Sequence, residues 1–139
     1  MAYEYHMEVR ERYVVMALRG QENLAENKAS VLYARDYCAE HGKHALLVDL
    51  REISGGTSVV ENYEFAGFLA ETAWPTILRI ATVYGETNRE IERFLETAGQ
   101  NRGVQIRAFP SMDAAQEWLT QGQNPAPPPT PTDPPPPTS

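Results

Sequence analysis

The segment LLVDLREISGGTSVVENYEF, residues 46–65, limits the fold of this chain more than any other. Its apolar run Leu46, Leu47 and Val48 ends at Asp49, and an unbroken apolar run is typical of a strand buried on both faces. A glycine-bearing, hydroxyl-rich loop follows, and a helix then begins. In α/β proteins, ligands and phosphates bind where the carboxyl end of a strand precedes a helix. This junction is therefore the first candidate for a functional site.

The start of that helix has the pattern of a capping box, Ser-Val-Val-Glu at residues 58–61. In such a box the Ser58 hydroxyl accepts a hydrogen bond from the Glu61 amide, and the Glu61 carboxylate accepts one from the Ser58 amide. The helix is expected to continue to about Ala73, because Pro75 cannot extend it.

The rest of the chain alternates short apolar runs with helical segments. The first two runs are separated only by residues 10–12, which predicts an antiparallel hairpin. Thr87 and Glu90 match a second capping box, and Ser111 is expected to cap the last helix. Residues 104–109 alternate apolar and polar side chains, as an edge strand does. The predicted strands are 3–9, 13–18, 44–50, 78–84 and 104–109, and the predicted helices are 24–41, 58–73, 88–100 and 112–119.

This order predicts an α/β fold with a mixed, mostly parallel sheet of about five strands, an N-terminal antiparallel hairpin and four helices. Strands that alternate with helices are joined by right-handed crossovers and therefore run parallel. We expect the domain to span residues 1–120. Residues 121–139, QGQNPAPPPTPTDPPPPTS, carry no aliphatic side chain larger than alanine, and we predict that they form a disordered, proline-rich tail.

The charge and hydropathy of the sequence argue against several kinds of partner. The net charge is −7, and the absence of a basic cluster argues against nucleic acid and anionic membranes as main partners. No apolar run approaches membrane-spanning length, and the first residues lack the apolar stretch of a signal peptide. We therefore expect a cytoplasmic protein without membrane insertion.

The residues that commonly ligate metals or perform catalysis are sparse. Cys38 is the only cysteine, and its helical spacing from Val31 and Ala34 indicates a core position. His41 and His44 are separated by a helix-breaking glycine, which is more typical of two solvated loop histidines than of a metal pair. We predict no metal site, no cofactor and no catalytic residues.

Four segments, taken in order, resemble the SpoIIAA-like branch of the STAS fold, also described as STAS/SEC14-like. They are ALLVDLREI, a helix carrying NYEF, LRIATVYG, and the run FLETAGQNRGVQIRAFPSMDAAQEWL. The resemblance covers about residues 5–120. It implies kinship with anti-sigma-factor antagonists, in which a partner kinase phosphorylates a serine that follows an aspartate at the start of the helix after the central strand. Here Thr57 precedes Ser58, so that aspartate is absent.

The strand-to-helix junction offers three candidate phospho-acceptors by position, Ser54, Thr57 and Ser58. A structural cap and a phosphorylation site are both open interpretations of Ser58. Gly55 and Gly56 suit either a tight turn or a loop whose amides bind an anion. The residues predicted to contact a partner or ligand are Asp49, Arg51, Gly55, Gly56, Tyr63 and Trp74.

The resemblance implies binding rather than catalysis. We predict a non-enzymatic regulatory module that contacts a protein partner and is controlled by phosphorylation at the strand-to-helix loop. The alternative is a small-ligand or lipid-binding module, since SEC14-like domains hold lipids between sheet and helices. A homodimer is a further candidate assembly. An enzyme would require converging titratable groups with perturbed pKa values, and the sequence indicates no such set.

Overall fold

The computed structural model describes residues 3–121. These residues form one five-stranded sheet and four helices. The predicted tail falls outside the described residues except for Gln121. The strands are β1 (Glu4–Val9), β2 (Val14–Gln21), β3 (Ala45–Ser54), β4 (Arg79–Val83) and β5 (Ile106–Phe109). The helices are α1 (Leu24–Glu40), α2 (Val59–Thr72), α3 (Arg89–Gln100) and α4 (Met112–Thr120).

The strands lie in the order β1-β2-β3-β4-β5. The β1–β2 pair is antiparallel, as the short turn at residues 10–12 predicts, and the other three pairs are parallel. The predicted mixed, mostly parallel sheet is therefore confirmed. The edge position of β5 is also confirmed, although this strand begins at Ile106 rather than at residue 104.

Helices cover both faces of the sheet. The larger core, between the sheet and α1, α2 and α3, contains Leu46 and Val48 of β3. The smaller core, under α4, contains Leu47 of the same strand. Successive residues of a strand point to opposite faces, so the apolar run of β3 supplies both cores. The burial of this strand on both faces is confirmed.

The strand β3 is longer than its apolar run predicts. We expected it to end at Leu50 and a loop to begin at Arg51, but β3 continues to Ser54 because β2 extends beside it as far as Gln21. The register shifts within this extension, where three residues of β3 span the distance of two residues of β2. This bulge reverses the alternation, so that Ile53 joins Leu46 in the larger core.

The helix starts agree with the sequence patterns at two sites and differ at a third. The capping box at Ser58 and the cap at Ser111 are confirmed. The predicted box at Thr87 and Glu90 is wrong, because α3 starts after Asn88 without a side-chain cap. The Asn88 amide instead accepts a hydrogen bond from the Gly85 N–H (2.8 Å) and donates one to the Leu50 carbonyl (3.1 Å). This buried side chain thus joins β3, at Leu50, to the segment that follows β4.

Cys38 is fully buried on α1, as its helical spacing predicts. Burial raises the pKa of its thiol to about 11, so the thiolate is scarce at neutral pH. Within residues 3–121, no helix has both the length and the apolar character needed to cross a bilayer.

Candidate functional site

A backbone hydrogen bond holds the point where β3 ends and the loop to α2 begins. The Glu22 N–H donates a hydrogen bond to the Ser54 carbonyl (2.8 Å), which fixes the end of β3 against the end of β2. Gly55 follows with φ +79°, in the left-handed region where other residues are strained. A Cβ atom at Gly55 would also lie 3.3 Å from Cγ of Gln21. The conformation of this turn therefore explains why position 55 is a glycine.

Ser58 lies exposed at the start of α2. Its Oγ accepts a hydrogen bond from the Glu61 N–H (3.1 Å), and its own N–H donates to Glu61 Oε1 (2.9 Å). Ser54 is exposed as well, and its hydroxyl donates to the Gly20 carbonyl at 3.4 Å. Both hydroxyls are therefore accessible to a modifying enzyme.

Thr57, by contrast, is buried. Its hydroxyl oxygen accepts a hydrogen bond from the Asn62 side-chain amide, which also donates to the Ser58 carbonyl (2.9 Å). The polar groups of Thr57 lie near the Glu22 carboxylate and act to lower its pKa. Thr57 therefore connects the exposed loop to the interior of the domain.

Asp49 and Arg51 form an ion pair within β3. The Arg51 guanidinium donates to both Asp49 carboxylate oxygens, at 2.9 and 2.8 Å, and the Arg51 N–H donates at 3.1 Å. These hydrogen bonds from Arg51 lower the pKa of Asp49 despite its partial burial. Because Asp49 alternates with Val48, its side chain lies on the sheet face opposite α2. The structure therefore does not bring Asp49 together with the loop serines.

Three apolar side chains at the start of α2 are exposed to solvent. Val59 is 57% exposed, Val60 76% and Tyr63 58%. The Arg102 guanidinium, from the end of α3, lies over the Tyr63 ring at 4.6 Å from the ring centre. We call Val59, Val60 and Tyr63 the α2 apolar patch. It adjoins Ser58 directly in the chain.

Trp74 is also exposed, at 60%, but it follows the opposite end of α2. It lies eleven positions after Tyr63, and a helical rise of about 1.5 Å per residue places it roughly 16 Å further along the axis. Trp74 is thus outside the α2 apolar patch, although the sequence grouped it with Tyr63.

Two acidic residues that the sequence did not single out line the larger core, Glu92 buried and Glu22 half-buried. Glu92 of α3 is 3% exposed, and burial together with the charge of Glu22 raises its pKa to about 8. Burial also raises the pKa of Glu22, against the hydrogen bond from Asn27 and the nearby polar groups of Thr57. The signal was present in the helix pattern, because Glu92 precedes Leu95 by three residues and lies on its buried face. The titratable groups thus do converge, contrary to the sequence-based expectation.

No group of three or more His, Cys, Asp or Glu side chains within residues 3–121 is arranged to hold a metal ion. The candidate site thus consists of the exposed Ser58 cap, the α2 apolar patch, and the buried polar side chains of Thr57 and Asn62 beneath the loop.

Replacement of Ser58 by alanine should destabilise the domain by about 1 kcal/mol, because the Glu61 amide loses its side-chain acceptor. Ser58→Asp should retain most of that stability, since aspartate caps helices well. Urea denaturation of the two variants measures the difference. Equal stability of Ser58→Ala and the unaltered protein would show that the cap contributes nothing.

Two solved structures resemble this fold. One is an anti-sigma factor antagonist from Mycobacterium paratuberculosis, with a TM-score of 0.58 and 16% sequence identity over 86% of this chain and 96% of the other. The other is an uncharacterized protein of the DUF3478 family from Shewanella loihica PV-4, described as having a SpoIIAA-like fold. Its TM-score is 0.52, with 15% identity over 85% of this chain and 94% of the other.

The chain has a SpoIIAA-like fold. No known family profile matches its sequence. No curated protein matches it either. At 15–16% identity the two structural neighbours establish the fold alone, and the STAS/SpoIIAA-like architecture predicted from the sequence is confirmed.

Proposed function

We propose that this protein is a non-enzymatic regulatory module that binds a protein partner through the α2 apolar patch. The observation that carries the proposal is the exposure of Val59, Val60 and Tyr63 together at the first two turns of one helix. Exposed apolar side chains on a rigid element, next to charged residues, are a common feature of protein interfaces. One of the solved structures with a similar fold is an anti-sigma factor antagonist, which supports a regulatory partner.

Phosphorylation of Ser58 would control this binding. A phosphate at the first turn of α2 is favoured by the helix dipole, but it would replace the neutral cap beside the Glu61 carboxylate. It would also place about two negative charges next to Val59 and Val60, which an apolar partner surface would have to desolvate. The phosphorylated form is therefore expected to release the partner.

The substitution Val60→Asp tests the interface. Val60 is 76% exposed, so the change should leave folding nearly unaffected while weakening partner binding by a factor of about 100, through a desolvated charge in the interface. Ala29→Asp, at an exposed position of α1, adds the same charge away from the patch and is the control. Affinity purification from the native cells with the three proteins, followed by titration of the retained partner, measures the effect.

A partner that binds the Val60→Asp variant as tightly as the control would contradict the proposed interface. Mass spectrometry of the protein from its own cells tests the switch separately. A single added phosphate that maps to Ser58, and is absent from the partner-bound fraction, is the expected result. Phosphate found equally in bound and free fractions would contradict control by phosphorylation.

A further inference from the structure

The larger core of the domain encloses a cavity of about 50 Å³ between the sheet and the helices α1, α2 and α3. Most of its wall is aliphatic or aromatic, and includes Met16, Val31, Leu69 and Ile80. The polar residues that line it are Glu22, Asn27, Ser30, Asn62, Thr82 and Glu92. The cavity is therefore apolar over most of its wall, with an acidic part.

Three side-chain oxygens on this wall are buried and receive no hydrogen bond from any residue between 3 and 121. They are Glu22 Oε1, Thr82 Oγ1 and Glu92 Oε1. Buried polar atoms in folded proteins are nearly always paired, so three unpaired atoms around one cavity require an explanation. Glu92 is 3% exposed, so solvent at the surface does not supply the missing partner.

The three oxygens restrict the chemistry of a matching ligand. All three can accept a hydrogen bond, and two of them belong to carboxyl groups. An anionic ligand would add like charge to a buried acidic pair and is disfavoured. A primary ammonium group carries three N–H donors and a positive charge, which matches three acceptors and compensates the Glu22 carboxylate. Its charge also favours the ionised form of Glu92, so that binding releases the Glu92 proton to solvent.

The volume of the cavity restricts the size of the ligand. An apolar cavity of about 150 Å³ accommodates benzene, whereas one water molecule occupies about 30 Å³ of the liquid. A cavity of about 50 Å³ thus suits a ligand of two or three non-hydrogen atoms. Water is the competing occupant, but it has only two donors and no charge to set against Glu22 and Glu92.

We propose that this cavity binds a short primary amine, with its ammonium group between Glu22 and Glu92 and its alkyl group against the aliphatic wall. Ethylammonium has the required size and donor number. Glu22 also lies near the polar groups of Thr57, so the site adjoins the loop that carries Ser58. The proposal does not rest on the proposed interface of α2, and either can fail without the other.

The test is a titration of the full chain with ethylammonium, followed by ligand-observed NMR and thermal unfolding at constant ionic strength. Ethanol, which has the same size as ethylammonium but one donor and no charge, is the matched probe. Tetramethylammonium, which has five non-hydrogen atoms and is too large for the cavity, reports binding by charge at the protein surface. Ethylammonium should bind saturably and about tenfold or more tightly than either, since only ethylammonium combines the required size with charge-assisted hydrogen bonds.

One variant and its control test whether the ligand binds at Glu92. Glu92→Gln preserves shape but cannot ionise when the ammonium group binds, and it should weaken ethylammonium binding about tenfold or more. Glu90→Gln makes the same change at an exposed position of α3 and should bind like the unaltered protein. Binding of ethylammonium that is no tighter than that of tetramethylammonium, equal binding by Glu92→Gln, or occupancy of the cavity by water only would each overturn the proposal.

Discussion

Glu92→Gln should leave stability unchanged at pH 4 and increase it at pH 8 by about 4–5 kcal/mol. Burial and the nearby charge of Glu22 raise the pKa of Glu92 from 4.5 to about 8 in the folded state. Below about pH 4.5 the Glu92 carboxyl is neutral in both the folded and the unfolded protein, so its burial costs little free energy. Between pH 4.5 and 8 the unfolded chain loses this proton while the folded protein keeps it, so the stability of the unaltered protein falls as pH rises.

The glutamine side chain does not titrate, so the variant lacks this part of the pH dependence. Urea denaturation from pH 4 to 9 measures the gap between the two proteins, which should widen up to about pH 8 and then become constant. Glu22 and Tyr3, the other titratable groups that interact with Glu92, are present in both proteins. Glu90→Gln, on the exposed side of α3, should follow the unaltered protein. A constant gap at all pH values would refute the raised pKa of Glu92.

Asn62→Ala should destabilise the domain by about 2–3 kcal/mol. The Asn62 side chain is 1% exposed, and its amide donates hydrogen bonds to the Thr57 hydroxyl and to the Ser58 carbonyl. Alanine removes both donors and leaves a gap beneath the loop, while Thr57 stays buried. The loop should then lose its fixed position before the sheet does, because its own backbone makes few other hydrogen bonds.

Hydrogen exchange of the amides at residues 55–61 measures this loosening, and urea denaturation measures the global loss. The expected result is faster exchange in the loop at a denaturant concentration where the amides of β3 remain protected. Asn101→Ala, at an exposed position after α3, is the control and should change stability by less than about 0.5 kcal/mol. Loop exchange at the unaltered rate would show that Asn62 does not hold the loop.

The candidate site was predicted only in part from the sequence. The exposed Ser58 cap follows from a four-residue pattern, and a local pattern of this kind depends on few distant contacts. Thr57 has the same type of side chain at the next position, yet it is buried. Its burial depends on Asn62 and on Glu22, which is 35 residues away in the chain. Contacts between residues so far apart in the chain produce no local sequence pattern.

The same distinction explains the errors in the fold. The end of β3 was placed at Leu50 because its apolar residues end there, whereas the strand continues to Ser54 through pairing with β2. The capping pattern at Thr87 and Glu90 is present in the sequence, but α3 begins after Asn88, whose side chain makes hydrogen bonds with Gly85 and with Leu50 of β3. In both cases a distant strand provides hydrogen bonds that compete with the local pattern.

The sequence alone determined the order of strands and helices, the parallel sheet with its N-terminal hairpin, and the Ser58 cap. These features depend on hydrophobic periodicity and on residues within four positions of one another. The tertiary structure alone decided that Glu22 and Glu92 lie near one another at the same cavity and that Asp49 lies on the face opposite α2. Those outcomes depend on which elements pack together, because burial and electrostatic interactions act between residues that are distant in the chain.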